Sequence, residues 1–218
     1  MIRVDNVTRE FNGHVALDQV SFTVNDGGAI AILGSSGSGK TTLLRIIAGL
    51  DVPDRGEVWF DDRMVSGPGW AEPPYSRSIG FVFQAPALWP HMTLAENVLF
   101  GMGRIPKKER NSLVSDLFSR AGLLHLTGRY PDEVSGGEAR RASIIRAMAA
   151  QPRIILMDEP LTNLDQKLKD GFIDIVREIA GNTSMILIYV THDEAEVDRI
   201  GLSEIRLRQG RLSSDHAR

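Results

Sequence analysis

Three observations predict an α/β fold with a largely parallel, doubly covered sheet. Near-continuous apolar runs recur at residues 29–33, 79–83, 154–157 and 185–190, as strands buried on both faces do. Helical patterns alternate with these runs, the arrangement that parallel strands require. The first run also leads straight into a glycine-rich turn, Gly34-Ser35-Ser36-Gly37-Ser38-Gly39-Lys40-Thr41, which opens onto a further helical pattern.

Before that turn, Ile2 and Val4, then Val20, Phe22 and Val24, alternate with polar residues and suit half-buried strands. Asn12-Gly13 and Asp26-Gly27-Gly28 are turn signals between them. After it, Thr42-Leu43-Leu44-Arg45-Ile46-Ile47-Ala48 reads as a helix stopped by Gly49, and residues 56–60 as a strand. Gly67, Pro68, Gly69, Pro73 and Pro74 assign residues 66–76 to a loop. The run at 79–83 ends at Gln84, which can contact a metal or a water, or simply begin the next loop.

From residue 85 the pattern turns helical. Thr93 is placed to cap a helix carrying Leu94, Val98, Leu99 and Phe100. Pro106 is placed to start a longer one carrying Leu113, Val114, Leu117, Phe118 and Ala121. This reads as a helical insertion between two halves of an α/β core. Beyond it, Ser135-Gly136-Gly137-Glu138 opens a helix running through Ile144, Ile145 and Met148. The strand at 154–157 closes on Asp158-Glu159-Pro160. Leu168, Phe172, Ile175, Val176 and Ile179 then mark an amphipathic helix. The last apolar strand is followed by Thr191-His192-Asp193, and the tail reads as a hairpin around Gly210.

Composition narrows the function classes. A net charge of -3 gives no global basic surface for nucleic acid. Zero cysteines exclude disulfides and thiolate metal sites and fit a reducing compartment. No apolar run reaches the ~18 residues of a membrane span, and the first residues lack a signal-peptide pattern. A soluble, cytoplasmic chain is expected, with any membrane role exercised through a partner.

The chemistry is concentrated in three places. Backbone N–H groups of a glycine-rich strand-to-helix turn, backed by the helix dipole, cradle phosphate oxygens. In such a turn Lys40 reaches the β- and γ-phosphates and the Thr41 hydroxyl coordinates Mg²⁺. Asp158, at a strand end, supplies the carboxylate that such a Mg²⁺ needs, and Glu159 can accept a proton from an attacking water. Ser135-Gly136-Gly137-Glu138 has two readings. Ser-x-x-Glu is a capping box, whereas paired glycines at a helix N-terminus permit close approach by an anion. Two helix-terminal phosphate sites and one nucleotide motif suggest a symmetric dimer with shared sites. Phe11 is either a packing aromatic or a face that stacks on a base. His192 alone is either a loop histidine or a γ-phosphate ligand.

In combination these residues resemble, almost end to end, the nucleotide-binding subunit of an ATP-binding cassette (ABC) transporter. Gly34 to Thr41 matches the Walker A motif, residues 154–159 match Walker B, and Gln84 matches the Q-loop glutamine. Val134-Ser135-Gly136-Gly137-Glu138 is similar to the signature Leu-Ser-Gly-Gly-Gln, Leu161-Thr162-Asn163-Leu164-Asp165 to the D-loop, and His192 to the switch histidine. The resemblance implies a P-loop NTPase core with a mainly parallel sheet, an N-terminal antiparallel β subdomain and an inserted helical subdomain. Residues 1–84 and 153–218 would form the catalytic core with its β subdomain, and about 85–152 the insertion.

It further implies ATP and Mg²⁺ as ligands. Phe11 would stack on adenine, and Gly34, Ser35, Ser36, Gly37, Ser38, Gly39, Lys40, Thr41 and Thr42 would line the ATP site. Thr41, Gln84 and Asp158 would serve Mg²⁺, while Glu159, with Gln84 and His192, would carry out hydrolysis. Ser135, Gly136, Gly137 and Glu138 would complete the site of a second copy in a head-to-tail dimer, with Asp165 in the D-loop. Glu138 departs from the usual Gln; Glu also occurs there in working members, so activity is expected.

The stretch Phe83-Gln84-Ala85-Pro86-Ala87-Leu88-Trp89-Pro90-His91-Met92-Thr93-Leu94-Ala95-Glu96-Asn97-Val98 and Tyr130-Pro131 resemble importers of sugars, sulfate, molybdate, polyamines or iron. The expected function is therefore an ATPase that energises import on the inner face of the cell membrane. ATP would close the dimer and hydrolysis reopen it. A separate permease would dock near the Q-loop and the helical insertion, a substrate-binding protein would assist, and the C-terminal regulatory domain of many such importers is not expected. The same engine in an exporter or a lipid or lipoprotein extraction system is the alternative. A soluble cassette acting in DNA repair or translation would carry long coiled coils or paired cassettes, and neither is visible.

Overall fold

The computed structural model describes residues 1–213 apart from 104, 163, 165, 183 and 184; the side chains of 167 and 168 are also outside what is described. Two sheets organise the chain. Strands β1 (Ile2–Phe11), β2 (His14–Val24), β4 (Arg55–Phe60), β5 (Arg63–Gly67) and β6 (Trp70–Ala71) form an antiparallel sheet in the order β2-β1-β4-β5-β6. The second sheet has the order β11-β10-β3-β9-β8-β7. Its members are β3 (Ala29–Leu33), β7 (Ile79–Val82), β8 (Ile154–Asp158), β9 (Ile186–Thr191), β10 (Ser203–Arg208) and β11 (Arg211–Leu212). All its pairs are parallel except the terminal hairpin β10–β11.

The parallel register sets up the site. Leu33 lies beside Thr191, Val190 beside Asp158, and Met157 beside Val82. The carboxyl ends of β3, β9, β8 and β7 therefore reach one edge together, and the residues that follow them, Gly34, His192, Glu159 and the Phe83-Gln84 pair, leave from it. Crevices at such strand ends are where open α/β sheets bind ligands.

Alternation along the strands separates two cores. Ile32, Leu156, Ile188 and Val190 face α1 (Lys40–Ala48), which contributes Leu43, Leu44, Ile46 and Ile47, and the antiparallel sheet packs on the same cluster. Ile155, Met157, Leu187 and Tyr189 face α5 (Gln166–Ala180), which contributes Phe172, Ile173, Val176 and Ile179. Burial on both faces explains why these strands carry unbroken apolar runs. The Leu168 side chain expected on α5 lies outside the described residues.

Helices α2 (Leu94–Gly101) and α3 (Lys107–Arg120) share a third core with α4 (Gly136–Ala149), built on Leu94, Val98, Phe118, Ala142 and Ile145. Thr93 caps α2 in a full capping box with Glu96. Helix α4 also sends Ile144 and Ala147 into the α5 core, so it joins the helical layer to the sheet.

The expectation of a loop over residues 66–76 is corrected. Residues 66 and 67 end β5, Pro68-Gly69 forms a turn, β6 pairs back through Ser66–Ala71 and Gly67–Trp70, and Pro74–Ser76 is a 3₁₀ turn. The glycines and proline mark the turn of a short edge hairpin, where proline's missing donor costs nothing. A short helix, α6 (Glu194–Ile200), follows His192 and carries no clear apolar period. Among the described residues no helix is long and apolar enough to cross a membrane.

Candidate active site

The phosphate loop is shaped by backbone as much as by side chains. Gly39, with φ +104°, turns the chain into α1; a Cβ there would meet the Ala16 carbonyl and lie 2.9 Å from Leu17 Cδ2. Lys40 is buried, and its Nζ donates to the carbonyls of Gly34 at 2.7 Å and Ser35 at 3.0 Å. Ser35, Ser36 and Gly37 are exposed, so the loop presents its outer side to solvent. Ser38 Oγ is buried without a hydrogen-bond partner.

Lys40, His192 and Thr162 converge on Glu159. The Lys40 Nζ lies 3.4 Å from Glu159 Oε1, and Glu159 Oε2 lies 3.2 Å from His192 Nδ1 and accepts from Thr162 Oγ1 at 3.1 Å. Glu159 occupies the left-handed region at φ +43°, and its N–H donates to the Val190 carbonyl at 2.9 Å. A non-glycine residue held there costs of order 1–3 kcal/mol and persists only where its surroundings impose it. The two adjacent carboxylates take different partners, Thr41 for Asp158 and Lys40 with His192 for Glu159.

Thr41 Oγ1 donates to Asp158 Oδ1 at 3.0 Å. Burial raises the pKa of Asp158; neighbouring Glu159 also raises it, and the Thr41 hydrogen bond opposes both. An oxygen pair with a buried, poorly solvated carboxylate fits a hard divalent cation that brings its own waters and phosphate oxygens. Among the described residues no cluster of three or more His, Cys, Asp and Glu could hold a metal.

Gln84 is exposed at the end of β7. The loop beyond it is held from α4: Arg140 donates to the carbonyls of Phe83, at 3.2 Å, and Gln84, and Arg146 to that of Ala87, at 2.6 Å. Beside this loop lies a cavity of about 1010 Å³, far larger than the roughly 340 Å³ space lined by Gly34, Ser35 and His192. Phe81, Phe83, Trp89 and Phe100 line the larger one, and none of the residues predicted for the nucleotide site lines it.

The profile of the ABC transporter family matches residues 17–162, two thirds of the chain. The chain belongs to the ABC transporter family. Its relatives include the glucose import ATP-binding protein GlcV of Saccharolobus solfataricus, 40% identical over 92% of this chain and 60% of its own length. Another is the sulfate/thiosulfate import ATP-binding protein CysA 1 of Agrobacterium fabrum, 39% identical over 97% of this chain and 62% of its own length. The chain thus spans about three fifths of these curated relatives. The bacterial ABC transporter cassette MJ0796, solved as a dimer, matches with a TM-score of 0.88 and 31% identity, over 100% of this chain and 98% of that one. The same cassette as a post-hydrolysis dimer bound to ADP and Pi matches with a TM-score of 0.85 and 30% identity, over the same shares of the two chains.

Within the ABC cassette, Ser135 to Glu138 close a capping box. Ser135 Oγ accepts from the Glu138 N–H at 3.3 Å, while Glu138 Oε2 accepts from Ser135 N–H at 2.7 Å and from its hydroxyl at 2.8 Å. These bonds hold the Glu138 pKa below the usual carboxylate range. The departure from Gln is therefore accommodated inside the turn, with its charge spent on the helix N-terminus. Gly136 is exposed, and a Cβ there would meet nothing within 4 Å.

Phe11 is 40% exposed, with the Arg9 guanidinium 4.5 Å from its ring centroid, so one face is covered. Thr42 is half-buried on α1. Asp165, the D-loop residue, lies outside the described residues. Sequence reasoning missed Arg77, Arg140, Lys169 and Glu196, each of which has at least one partner more than 20 residues away in the chain.

Proposed function

We propose that this chain is the ATP-hydrolysing subunit of an ABC importer. It works as a head-to-tail dimer on the cytoplasmic face of the membrane beside a separate permease and a substrate-binding protein. The observation that carries the reading is the meeting of Lys40, Glu159 and His192 at strand ends that also bring Thr41 against Asp158. The relatives named for glucose and sulfate/thiosulfate import support the direction of transport.

In this reading the amides of Gly34 to Thr42 and the Lys40 ammonium hold the phosphates, and the free face of Phe11 takes the adenine. Lys40 exchanges its contacts with loop carbonyls for phosphate oxygens. Water attacks the γ-phosphorus as the bond to the bridging oxygen breaks, and the water's proton passes to Glu159, giving ADP and phosphate. His192, beside Glu159, touches the γ-phosphate. Thr41, Asp158 and Gln84 would hold Mg²⁺, which supplies neutralisation of phosphate charge. Ser135, Gly136, Gly137 and Glu138 of a second copy close the site from the other side, with the D-loop around Asp165 at the same junction. Residues 1–84 and 153–218 act as the catalytic core. Residues from about 85 to 152 act as the helical insertion, and the aromatic groove between the two receives the permease.

Glu159→Gln tests this. ATP binding should persist, turnover should fall by about 10²–10⁴-fold, and an ATP-dependent dimer should accumulate in light scattering. Undiminished turnover would remove Glu159 from the role of base.

A further inference from the structure

Behind His192 lies a buried carboxylate with no part in the reaction described above. Glu196, on α6, is 5% exposed. Its Oε2 accepts from the Tyr189 hydroxyl at 2.9 Å and the Thr191 hydroxyl at 2.8 Å, and its Oε1 accepts from Lys169 Nζ at 2.9 Å. Lys169 Nζ also donates to Asp193 Oδ2 at 3.3 Å, and the Asp193 N–H donates to Thr191 Oγ1 at 3.1 Å. Both chain neighbours of His192 are therefore held by one network. The His192 ring itself is half exposed, with Glu159 as its carboxylate partner.

The network is asymmetric in a useful way. A buried carboxylate stripped of its cation is strongly destabilising, and the local structure shifts to rehydrate it. Lys169 comes from the first turns of α5, on a different element from the residues it holds. Movement of α5 is thereby transmitted to Thr191 and Asp193, which flank His192.

We propose that the Lys169–Glu196 ion pair positions His192 and couples it to the start of α5, with Lys169 and Glu196 as positioning residues that touch no substrate. The catalytic consequence rests on the role of His192 given under Proposed function; the positioning itself does not.

Two measurements on the full chain separate these claims. In nucleotide-free protein, the His192 Cε1–H NMR resonance, assigned by its loss in His192→Ala, should move in Lys169→Met and return in Lys169→Arg. An unmoved resonance overturns the proposal. In steady-state kinetics Lys169→Met should lower kcat about ten- to a hundredfold, with KM for ATP within about twofold of wild type. That loss should vanish in a His192→Ala background, as for residues acting as a unit. An equal further loss in that background shows Lys169 acting elsewhere and overturns the proposal. Wild-type turnover of His192→Ala would instead refute the hydrolytic reading of His192, leaving the resonance to decide the positioning. If Lys169→Met does not fold, Glu196→Gln takes its place: it keeps an acceptor for both hydroxyls and removes the charge. The same resonance shift and the same kcat loss are then expected, and an unmoved resonance again overturns the proposal.

Discussion

Replacing Arg77 should unseat the helix that carries the phosphate loop. Its side chain is 2% exposed, yet its guanidinium is fully engaged. Nε donates to the Glu72 carbonyl at 2.7 Å, Nη1 to those of Ile47 at 2.7 Å and Ile46 at 3.2 Å, and Nη2 to the Val65 carbonyl at 2.6 Å and Ser66 Oγ at 2.8 Å. Ile46 and Ile47 are in the last turn of α1, so a cation sits on the negative end of the dipole whose positive end faces the glycine-rich turn. Gly49 ends α1 at φ +75°, and a Cβ there would come within 2.6 Å of Arg77 Nε. Arg77→Met leaves several buried acceptors unpaired at about 1–3 kcal/mol each before relaxation. After relaxation these losses leave about 3–5 kcal/mol overall. With about 2–4 °C lost per kcal/mol in a domain this size, Tm should fall by about 6–20 °C in calorimetry, with a matching drop in the urea midpoint. Arg77→Lys should recover little, because an ammonium cannot serve carbonyls on three sides as the planar fork does. Burial lowers the Arg77 pKa to about 10, so the group is charged at neutral pH and the defect should be the same at pH ~6 and ~8. A Tm fall under about 3 °C, or full rescue by Lys, would refute the reasoning.

Two further perturbations address the site. Ser135→Ala removes the α4 cap and should cost about 0.5–2 kcal/mol, read from urea unfolding. Glu138→Gln should retain most of that. The depressed pKa of Glu138 stabilises the fold above its unfolded value and is lost as pH falls through the folded one, so Glu138→Gln should flatten the acid limb of the stability profile; an unchanged limb counts against the cap. For Asp158 the sign is opposite: burial, with Glu159, raises its pKa, so the ionised form weighs against the fold at neutral pH. Asp158→Asn should therefore raise Tm without Mg²⁺ and abolish the Tm gain from Mg²⁺ with ATP, and a lower metal-free Tm would sink the argument.

What was legible in the sequence follows from how far each interaction reaches. Strands β8 and β9 announce themselves because burial on both faces keeps them apolar up to their last residues, Asp158 and Thr191. The phosphate loop is legible because a tight strand-to-helix turn needs glycine at fixed places. The β5–β6 hairpin was hidden because Gly67, Pro68 and Gly69 are the same residues a loop would use. Helix α6, of seven residues, is too short for a period to show. Arg77 and Glu196 look like surface charges in one dimension; their partners Ile46 and Lys169 lie 31 and 27 residues away. Six motifs in order named the residues proposed for the nucleotide site, whereas the buried charges that brace their loops were invisible.

Those charges share a geometric logic. The parallel register delivers Gly34, Gln84, Asp158 with Glu159, and His192 to one edge, but strand ends alone leave their loops free to move. Arg77 clamps the far end of the phosphate-loop helix, Arg140 holds the Gln84 loop from α4, and Glu196 with Lys169 holds the His192 loop from α5. Each clamp crosses between elements and is paired or hydrogen-bonded, so its desolvation is compensated only in one arrangement. Apolar packing could stabilise the same loops but would tolerate sliding, because dispersion contacts have no direction. Directional buried cations instead tie each loop to a particular helix. Under the proposed function, movement of α4 or α5 would then displace Gln84 or His192, which is what coupling between the helical layer and the nucleotide requires.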